Sequence, residues 1–303
     1  MMINLETFAG KRVVDFEPGQ AFPDPAQNIP RLRVEFESEN TAVDLLRELL
    51  ESGVAEQITG LAIGAWAGEL YEATPAEIVE ALAAAGDQLP QVRGLFIGDI
   101  ASEENEISWI HQDDLSALWD AFPRLEVLGI RGGNNLSIGK MRLNHLRELT
   151  IQTGGLPKSV LAELAKAELP VLERLELYLG TEDYGWDGTI DDVRPLLTGK
   201  LFPRLKHLGL CDSVIADEIA AAVTESPLLG HLESLDLSLG TLGDAGAEAL
   251  MASDGVKRLK KLDLHHHYMS PAVAERIAAI GAEVDVSEPQ EESEYGRFVS
   301  VGE

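Results

Sequence analysis

The sequence repeats one short apolar pattern, in which Leu, Ile or Val occupies the first, fourth and sixth places of a six-residue stretch. The copies are Ile58-Leu61-Ile63, Val92-Leu95-Ile97, Leu125-Leu128-Ile130, Leu146-Leu149-Ile151, Leu172-Leu175-Leu177, Leu205-Leu208-Leu210, Leu232-Leu235-Leu237 and Leu259-Leu262-Leu264. Strand side chains alternate between two faces, so the last two apolar residues of each copy should point into one core. One such strand cannot bury its apolar face alone, and we therefore predict that the repeats stack side by side.

The segments between the copies carry signals for helices. Thr74, Pro75 and Glu77 form the start pattern of a helix that should end near Gly86. Similar starts are predicted at Pro157, Thr189, Asp217, Asp244 and Ser270. The step of 21 residues between Leu128 and Leu149 is too short for a helix. Degenerate copies of the repeat are predicted at Val34-Phe36 and Val284-Val286.

The stretch from Leu232 to Leu250, LESLDLSLGTLGDAGAEAL, resembles the ribonuclease-inhibitor-like leucine-rich repeat, and the likeness covers about residues 58–286. The sequence is also similar to an uncharacterised bacterial family of leucine-rich-repeat proteins. This resemblance implies an α/β leucine-rich-repeat solenoid, or horseshoe. Its parallel concave sheet would have about 9–10 strands, with helices or loops on the convex side. The Asn or Cys that usually follows the strand is absent, so each turn should be individual.

The repeats lead us to expect one solenoid domain over residues 1–303. Residues 1–53 would be an N-terminal cap and first repeat, including a helix at about 41–52. Residues 54–286 would hold the repeats, and 287–303 would be an acidic C-terminal tail. The tail either returns as an edge strand or stays loose.

The charge of the chain limits its partners. Asp and Glu number 52 and Lys and Arg 24, which gives a formal net charge of −28. Such a chain repels nucleic acid and anionic membranes, and it attracts a basic protein or a cation. Cys211 is the single cysteine, and the sequence contains neither a signal-peptide pattern nor a long apolar run. We expect a cytoplasmic monomer without a cofactor.

The repeat register predicts which side chains lie on the concave face. Between the inward pairs lie Ala62, Phe96, Gly129, Thr150, Glu176, Gly209, Asp236, Asp263 and Asp285. One place further lie Gly64, Gly98, Arg131, Gln152, Tyr178, Cys211, Ser238, His265 and Ser287. Asp236, Asp263 and Asp285 should be adjacent, and they form either a docking surface for a cationic group or a solvated acidic stripe.

We predict that the partner binds this face and the loops beside it. The candidate residues are Trp66, Asp99, Trp109, Arg131, Tyr178, Tyr184, Trp186, Asp236, Ser238, Asp263 and His265. Aromatic side chains on such a surface make good anchors. The alternative for Trp66 and the other tryptophans is that they cover the edge of the core in place of the missing Asn ladder.

The case for chemistry rests on two clusters. One runs from Asp99 to His111, and the other comprises Asp263, His265 and His267. His265 and His267 would share a side of an extended chain and could bind a metal with Asp263; otherwise they form an exposed turn. Neither cluster matches a metal or catalytic motif. We therefore predict a non-enzymatic protein-binding module, with a metal- or small-ligand-binding protein, possibly an enzyme, and a structural member of an assembly as alternatives.

Overall fold

A computed structural model describes residues 2–302, and these residues form two compact units. The first unit runs to Gln152 and includes Ala167–Leu169, and the second comprises Thr153–Lys166 and Pro170–Gly302. Within the described range the two units hold twelve strands and eight α-helices. The predicted α/β repeat fold is therefore confirmed, with more strands than the nine or ten that we expected.

The first unit contains the strands β1 (Thr7–Phe8), β2 (Lys11–Asp15), β3 (Asn28–Leu32), β4 (Gly60–Ile63), β5 (Gly94–Ile97), β6 (Val127–Arg131) and β7 (Glu148–Gln152). Its helices are α1 (Ala42–Glu51), α2 (Ala76–Ala84) and α3 (Ala117–Ala121). Strand β1 pairs with β2 in antiparallel fashion, and from β2 to β7 each strand is parallel to the next. Strands β1 and β2 lack the repeat pattern, so counting copies of that pattern missed them.

The second unit contains the strands β8 (Arg174–Gly180), β9 (His207–Ser213), β10 (Ser234–Asp236), β11 (Lys261–Asp263) and β12 (Glu283–Asp285). Its helices are α4 (Lys158–Leu164), α5 (Ile190–Val193), α6 (Ala216–Thr224), α7 (Asp244–Ala252) and α8 (Pro271–Ala278). The five strands are parallel and follow one another in chain order. Consecutive helices of this unit contact each other, so the repeats stack as predicted.

The strand register confirms the repeat register read from the sequence. Leu61 pairs with Leu95, and Leu95 pairs with Leu128, all with at most 1% of their surface exposed. At the C-terminal end Val284 pairs with Leu262, so the last degenerate copy is real. The other degenerate copy, which was predicted at Val34-Phe36, was wrong.

The first repeat strand is β3, rather than the stretch Val34-Phe36. Leu32 pairs with Ile63, and Phe36 lies beyond the strand with 78% of its surface exposed. Pro30 occupies the place of Leu61 in this register. Because a proline occupies this apolar position, the repeat pattern did not identify β3 as a copy.

The helix starts agree with the predicted ones to within two residues. Complete capping boxes form at Thr41 with Asp44 and at Thr189 with Asp192. At α2, however, Pro75 is the N-cap residue, and no side chain caps the helix. The 21-residue step contains no helix among residues 132–147, as predicted from its length.

The C-terminal tail packs on the second unit without joining the sheet as a regular strand. The amide of Ser300 donates to the carbonyl of Leu239, and the guanidinium of Arg297 lies 5.5 Å from the ring of Tyr268. Tyr268 also donates a hydrogen bond to the carbonyl of Phe298.

None of the helices in the described range combines the length and apolar character needed to span a bilayer.

Candidate functional site

Three aspartates lie on consecutive strands of the second unit and form what we call the acidic row. Asp236 of β10 pairs with Asp263 of β11, which in turn pairs with Asp285 of β12. Neighbouring strands lie about 4.8 Å apart. The predicted adjacency of these carboxylates is therefore confirmed.

Asp263 is the centre of the row and has two basic neighbours. The Nζ atom of Lys261 lies 2.9 Å from its Oδ2 atom, and Nδ1 of His265 lies 2.7 Å from its Oδ1 atom. Burial disfavours the carboxylate, but these hydrogen bonds outweigh it and keep the pKa of Asp263 below its usual value. Asp263 is therefore ionised and held in a fixed orientation at neutral pH.

The two outer members of the row are fixed by backbone amides. Oδ1 of Asp236 accepts a hydrogen bond from the amide of Ser238 at 3.0 Å, and Oδ1 of Asp285 accepts one from the amide of Ser287 at 2.9 Å. Hydrogen bonds from Ser287 lower the pKa of Asp285. In both repeats the aspartate thus accepts a hydrogen bond from the amide two residues later, and this bond orients the carboxylate.

Two aspartates of the row and the adjacent His265 have the side-chain ligand atoms that a metal site requires. Single ligand atoms from Asp263, His265 and Asp285 lie within 4.8 Å of one another. Oxygen and imidazole ligands of this kind suit a divalent transition metal. Lys261 already neutralises Asp263 there, so a metal ion would have to compete with its ammonium group.

His267 does not join this group, because the extended backbone that we assumed between the histidines is absent. His266 has a left-handed backbone conformation with φ of 56°, which turns the chain. The ring of His267 is fully buried, with Nε2 3.0 Å from the carbonyl of Val286 and Nδ1 accepting from the amide of Met269. Both ring nitrogens are therefore engaged within the fold.

Tyr178 and Glu176 lie on the same face at β8. Tyr178 pairs with Cys211, and burial raises the pKa of its phenol. Burial also opposes ionisation of Glu176, but contacts with His207 and Arg174 keep its pKa below the usual value. Tyr178 is half-buried, which leaves part of its ring available to a partner.

In the first unit the predicted binding face is covered by the N-terminal segment of the chain. Leu5 and Phe8 pack on a small apolar cluster that includes Ala62 and Phe96. A side chain at Gly129 would collide with the ring of Phe96, its Cβ atom lying 2.1 Å away. The small residues of this half of the face therefore make room for an internal contact rather than an external partner.

Asp99 and Arg131 lie beneath this segment and hold it in place. Asp99 is fully buried, accepts the amide of Leu5 at 2.9 Å and pairs with Nη1 of Arg31 at 3.0 Å. Arg131, also buried, donates to the carbonyl of Ile3 and lies 3.8 Å from Asp99. Both residues therefore make contacts within the chain.

The predicted aromatic anchors differ in exposure. Trp66 and Trp186 are buried, with 5% and 2% of their surface exposed, whereas Trp109 is 51% exposed. Tyr184 is half-buried, and Ser238 is buried. Trp66 therefore points inward, as the alternative interpretation has it.

Sequence reasoning missed Lys261, which pairs with Asp263 of the acidic row, and the large exposed aromatic side chains of Phe36 and Tyr71. Lys261 lies two residues before Asp263, so strand alternation places both on one face, and this signal was available. Phe36 and Tyr71 lie in loops, where no periodicity indicates their neighbours.

Comparison with solved structures finds a similar protein from Bacteroides fragilis, determined in a structural genomics programme. It is 35% identical in sequence, with a TM-score of 0.83 over 90% of this chain and 77% of that one. An internalin from Listeria monocytogenes matches at 17% identity and a TM-score of 0.38, over 88% of this chain and 54% of its own. A leucine-rich-repeat protein from Leptospira interrogans matches at 16% identity and a TM-score of 0.40, over 86% of this chain.

The chain spans about half the length of the Listeria and Leptospira proteins, 54% and 55% respectively. No protein-family model matches the chain, and no curated protein matches it in sequence.

Proposed function

The chain belongs to a bacterial family of leucine-rich-repeat proteins that includes the Bacteroides fragilis protein, and from this premise we propose that it is a non-enzymatic protein-binding module. Its binding surface is the face of the second unit on which the acidic row, Tyr178 and His265 lie, and we call this side of the strands the outward face. The observation that carries the proposal is the row itself, in which three strands in succession present an aspartate.

The chemistry of this surface selects a basic partner. Asp236 and Asp285 are partly exposed, and Tyr178 offers an aromatic surface on the same face. Carboxylates fixed by local hydrogen bonds lose little side-chain entropy when they bind a cationic group. The net charge of −28 also accelerates the approach of a basic protein, and added salt should weaken this attraction.

Several residues predicted to bind are left out of the proposed surface. A partner contacts solvent-accessible atoms, and the side chains of Trp66, Asp99, Arg131, Trp186 and Ser238 are buried. Trp109 lies in the first unit and so does not belong to this surface. The proposed surface therefore consists of Tyr178, Asp236, Asp285 and His265, and the buried Asp263 holds His265 in place through their contact of 2.7 Å.

The test compares two charge-reversed doubles of equal net charge. The first carries Asp236→Lys and Asp285→Lys on the proposed surface, and the control carries Asp183→Lys and Glu275→Lys at exposed sites of the same unit. Proteins retained from lysate at low salt would be identified by mass spectrometry, and each would then be titrated as a purified protein. The proposal requires a partner whose affinity falls at least about ten-fold in the first double only.

Three results would count against all or part of the proposal. If both doubles lose the partner equally, net charge rather than the row is responsible. If neither loses it, the partner binds elsewhere on the chain. An affinity that does not change between about 50 mM and 500 mM salt would remove the electrostatic part.

A second candidate function, metal binding, is favoured by the convergence of Asp263, His265 and Asp285. Calorimetric titration with Mn²⁺ and Zn²⁺ tests it directly. A saturable site should be weakened by His265→Gln and by Asp285→Asn, and the control Asp183→Asn should bind like the wild type. Absence of saturable heat from either ion would exclude these metals.

A further inference from the structure

A groove of about 610 Å³ opens in the first unit, beyond the ends of β3, β4 and β5. Its lining comes from the chain after β3, the chain after β4 and the chain after β5, and the first two of these segments lie side by side. The amide of Val34 donates to the carbonyl of Ala65 at 2.8 Å, and that of Glu37 donates to the carbonyl of Gly68 at 3.1 Å. A Cβ atom at Gly68 would lie 2.5 Å from the carbonyl oxygen of Ser38, so this glycine permits the close approach of the two segments.

The rim of the groove carries large aromatic side chains that face solvent. Phe36 is 78% exposed and Tyr71 is 75% exposed, and both line the groove. Trp109 adjoins Tyr71, with the ring centroids 6.4 Å apart and an angle of 31° between the planes. Exposed aromatic rings that cluster in this way are typical of binding sites rather than of inert surface.

The groove is strongly acidic. Its lining includes one cation, Arg33, and four carboxylates, those of Glu35, Glu69, Glu103 and Glu104. The formal charge of the lining is therefore 1 − 4 = −3. An anionic ligand is repelled by this charge, and a neutral apolar ligand offers no counter-charge to the exposed carboxylates of Glu69 and Glu103.

The floor of the groove is fixed before any ligand arrives. Nε of Arg33 lies 3.2 Å from Oε1 of Glu104, and Nη2 lies 3.3 Å from Oε1 of Glu35. The other oxygen of Glu104 accepts the amide of Ala101 and the side-chain amide of Asn4. Arg33 therefore pairs with carboxylates of its own chain. Glu69 and Glu103 remain exposed at the opening of the groove.

We propose that this groove binds an arginine side chain presented by an extended segment of a partner protein. A guanidinium group stacks on aromatic faces and pairs with carboxylates in the plane of its nitrogen atoms, so one side chain uses both features of the groove. The aliphatic part of the arginine and its flanking residues contact Phe36 and Leu70. This site is separate from the acidic row and does not rest on the function proposed for it.

The four tryptophans of the chain provide a reporter for this site. Trp66, Trp119 and Trp186 are at most 5% exposed, and Trp109 is 51% exposed beside Tyr71. Collisional quenching with acrylamide will therefore act mainly on Trp109. A ligand that stacks at the rim should protect Trp109 from the quencher.

The probe is a capped pentapeptide, Gly-Arg-Gly-Arg-Gly, titrated into the whole protein and followed by tryptophan emission and by calorimetry. The matched peptide has citrulline in place of arginine, which keeps the shape and removes the charge. A lysine peptide and free argininamide complete the set. We expect saturable binding of the arginine peptide, at least about ten-fold weaker binding of the citrulline peptide, and intermediate binding of the lysine peptide.

Variants place the binding at the groove. Tyr71→Ala and the double Glu69→Gln, Glu103→Gln should each weaken the arginine peptide at least about five-fold. The matched controls are Tyr295→Ala and the double Glu182→Gln, Glu275→Gln, which change exposed residues of the other unit and should bind like the wild type. All of these positions are exposed, and circular dichroism will verify that each variant is folded.

Three outcomes would overturn the proposal. The first is the absence of saturable heat with the arginine peptide at millimolar concentration. The second is equal affinity for the citrulline peptide, or equal loss in the control variants. The third is argininamide binding as tightly as the peptide, which would assign the groove to a small guanidinium compound instead of a protein segment. The acidic row is unchanged in the groove variants, so each result is independent of the function proposed for it.

Discussion

The backbone amide of Val301 donates a hydrogen bond of 2.8 Å to Oδ1 of Asp212, across 89 positions of the chain. Asp212 is fully buried at the end of β9, and its other carboxyl oxygen has no hydrogen-bond partner. Burial raises the pKa of Asp212 to about 8, although the backbone amides of Val301 and Ser300 oppose the rise. The tail is thus bound to a carboxyl group that is neutral at pH 7.

This carboxyl group should make the stability of the protein depend on pH. Its pKa is raised from 3.8 to about 8 on folding, so between these values the folded chain binds one proton more than the unfolded chain. Its contribution to stability is therefore fully present below pH 3.8 and is lost as the pH rises towards 8. The loss is about 1.4 kcal/mol for each pH unit.

Asp212→Asn should remove this dependence. Asparagine keeps the acceptor for Val301 and tolerates the left-handed backbone at φ of 56°. Urea unfolding at pH 5, 6, 7 and 8 should show the variant gaining stability relative to the wild type with each step. The control Asp183→Asn should stay within about 0.5 kcal/mol of the wild type. Parallel curves for Asp212→Asn and the wild type would contradict the raised pKa.

Asp99 should be among the most sensitive positions of the first unit. Asp99→Ala removes the buried carboxylate that contacts Arg31 and Arg131 and frees the amide of Leu5. Arg31 then keeps only its ion pair with Asp15. We expect a loss of about 3–5 kcal/mol in the free energy of unfolding, measured in urea. Asp99→Asn should lose less, because it keeps an acceptor for Leu5. Glu56→Ala, at an exposed site, should change stability by less than about 0.5 kcal/mol.

The repeat architecture was predictable because its cause is periodic. Each strand must bury the same pair of apolar side chains, and the register follows from that requirement, as the pairing of Leu235 with Leu262 shows. The acidic row was predictable for the same reason, since Asp236 and Asp263 occupy equivalent places. Periodicity failed at β3, where Pro30 replaces the expected apolar residue.

Contacts between distant segments could not be predicted from the sequence. The N-terminal segment covers the outward face of its unit through Leu5 and Phe8, which belong to no repeat. The sequence therefore predicted Asp99 as a surface carboxylate, whereas it is fully buried and pairs with Arg31. Likewise, nothing periodic connects Phe36 with Tyr71, because loop residues come together only when the strands before them are aligned.

The adjacent residues Lys260 and Lys261 offer a matched test of the acidic row. Lys261 pairs with Asp263 and also attracts Asp236 and Asp285, which raises its pKa. Lys260 pairs with the exposed Glu233. Lys261→Met should therefore cost about 0.5–1 kcal/mol of stability at low salt, and Lys260→Met should cost less.

Salt provides the check on this pair. At about 0.5 M NaCl the charges of the row are screened, and the difference between the two variants should shrink. Equal losses for both variants at low salt, or a difference that salt leaves unchanged, would mean that the row does not depend on Lys261.

Cys211 should be inert in the folded protein and reactive once the protein unfolds. Its thiol is buried beneath the outward face, and burial, with smaller contributions from Asp236 and Glu176, raises its pKa well above the usual value. Burial limits access of Ellman's reagent to the sulfur, and the raised pKa lowers the fraction of thiolate that can react. At pH 8 we expect native protein to react at least about 100-fold more slowly than protein in urea. Rapid reaction without denaturant would show that β9 opens locally.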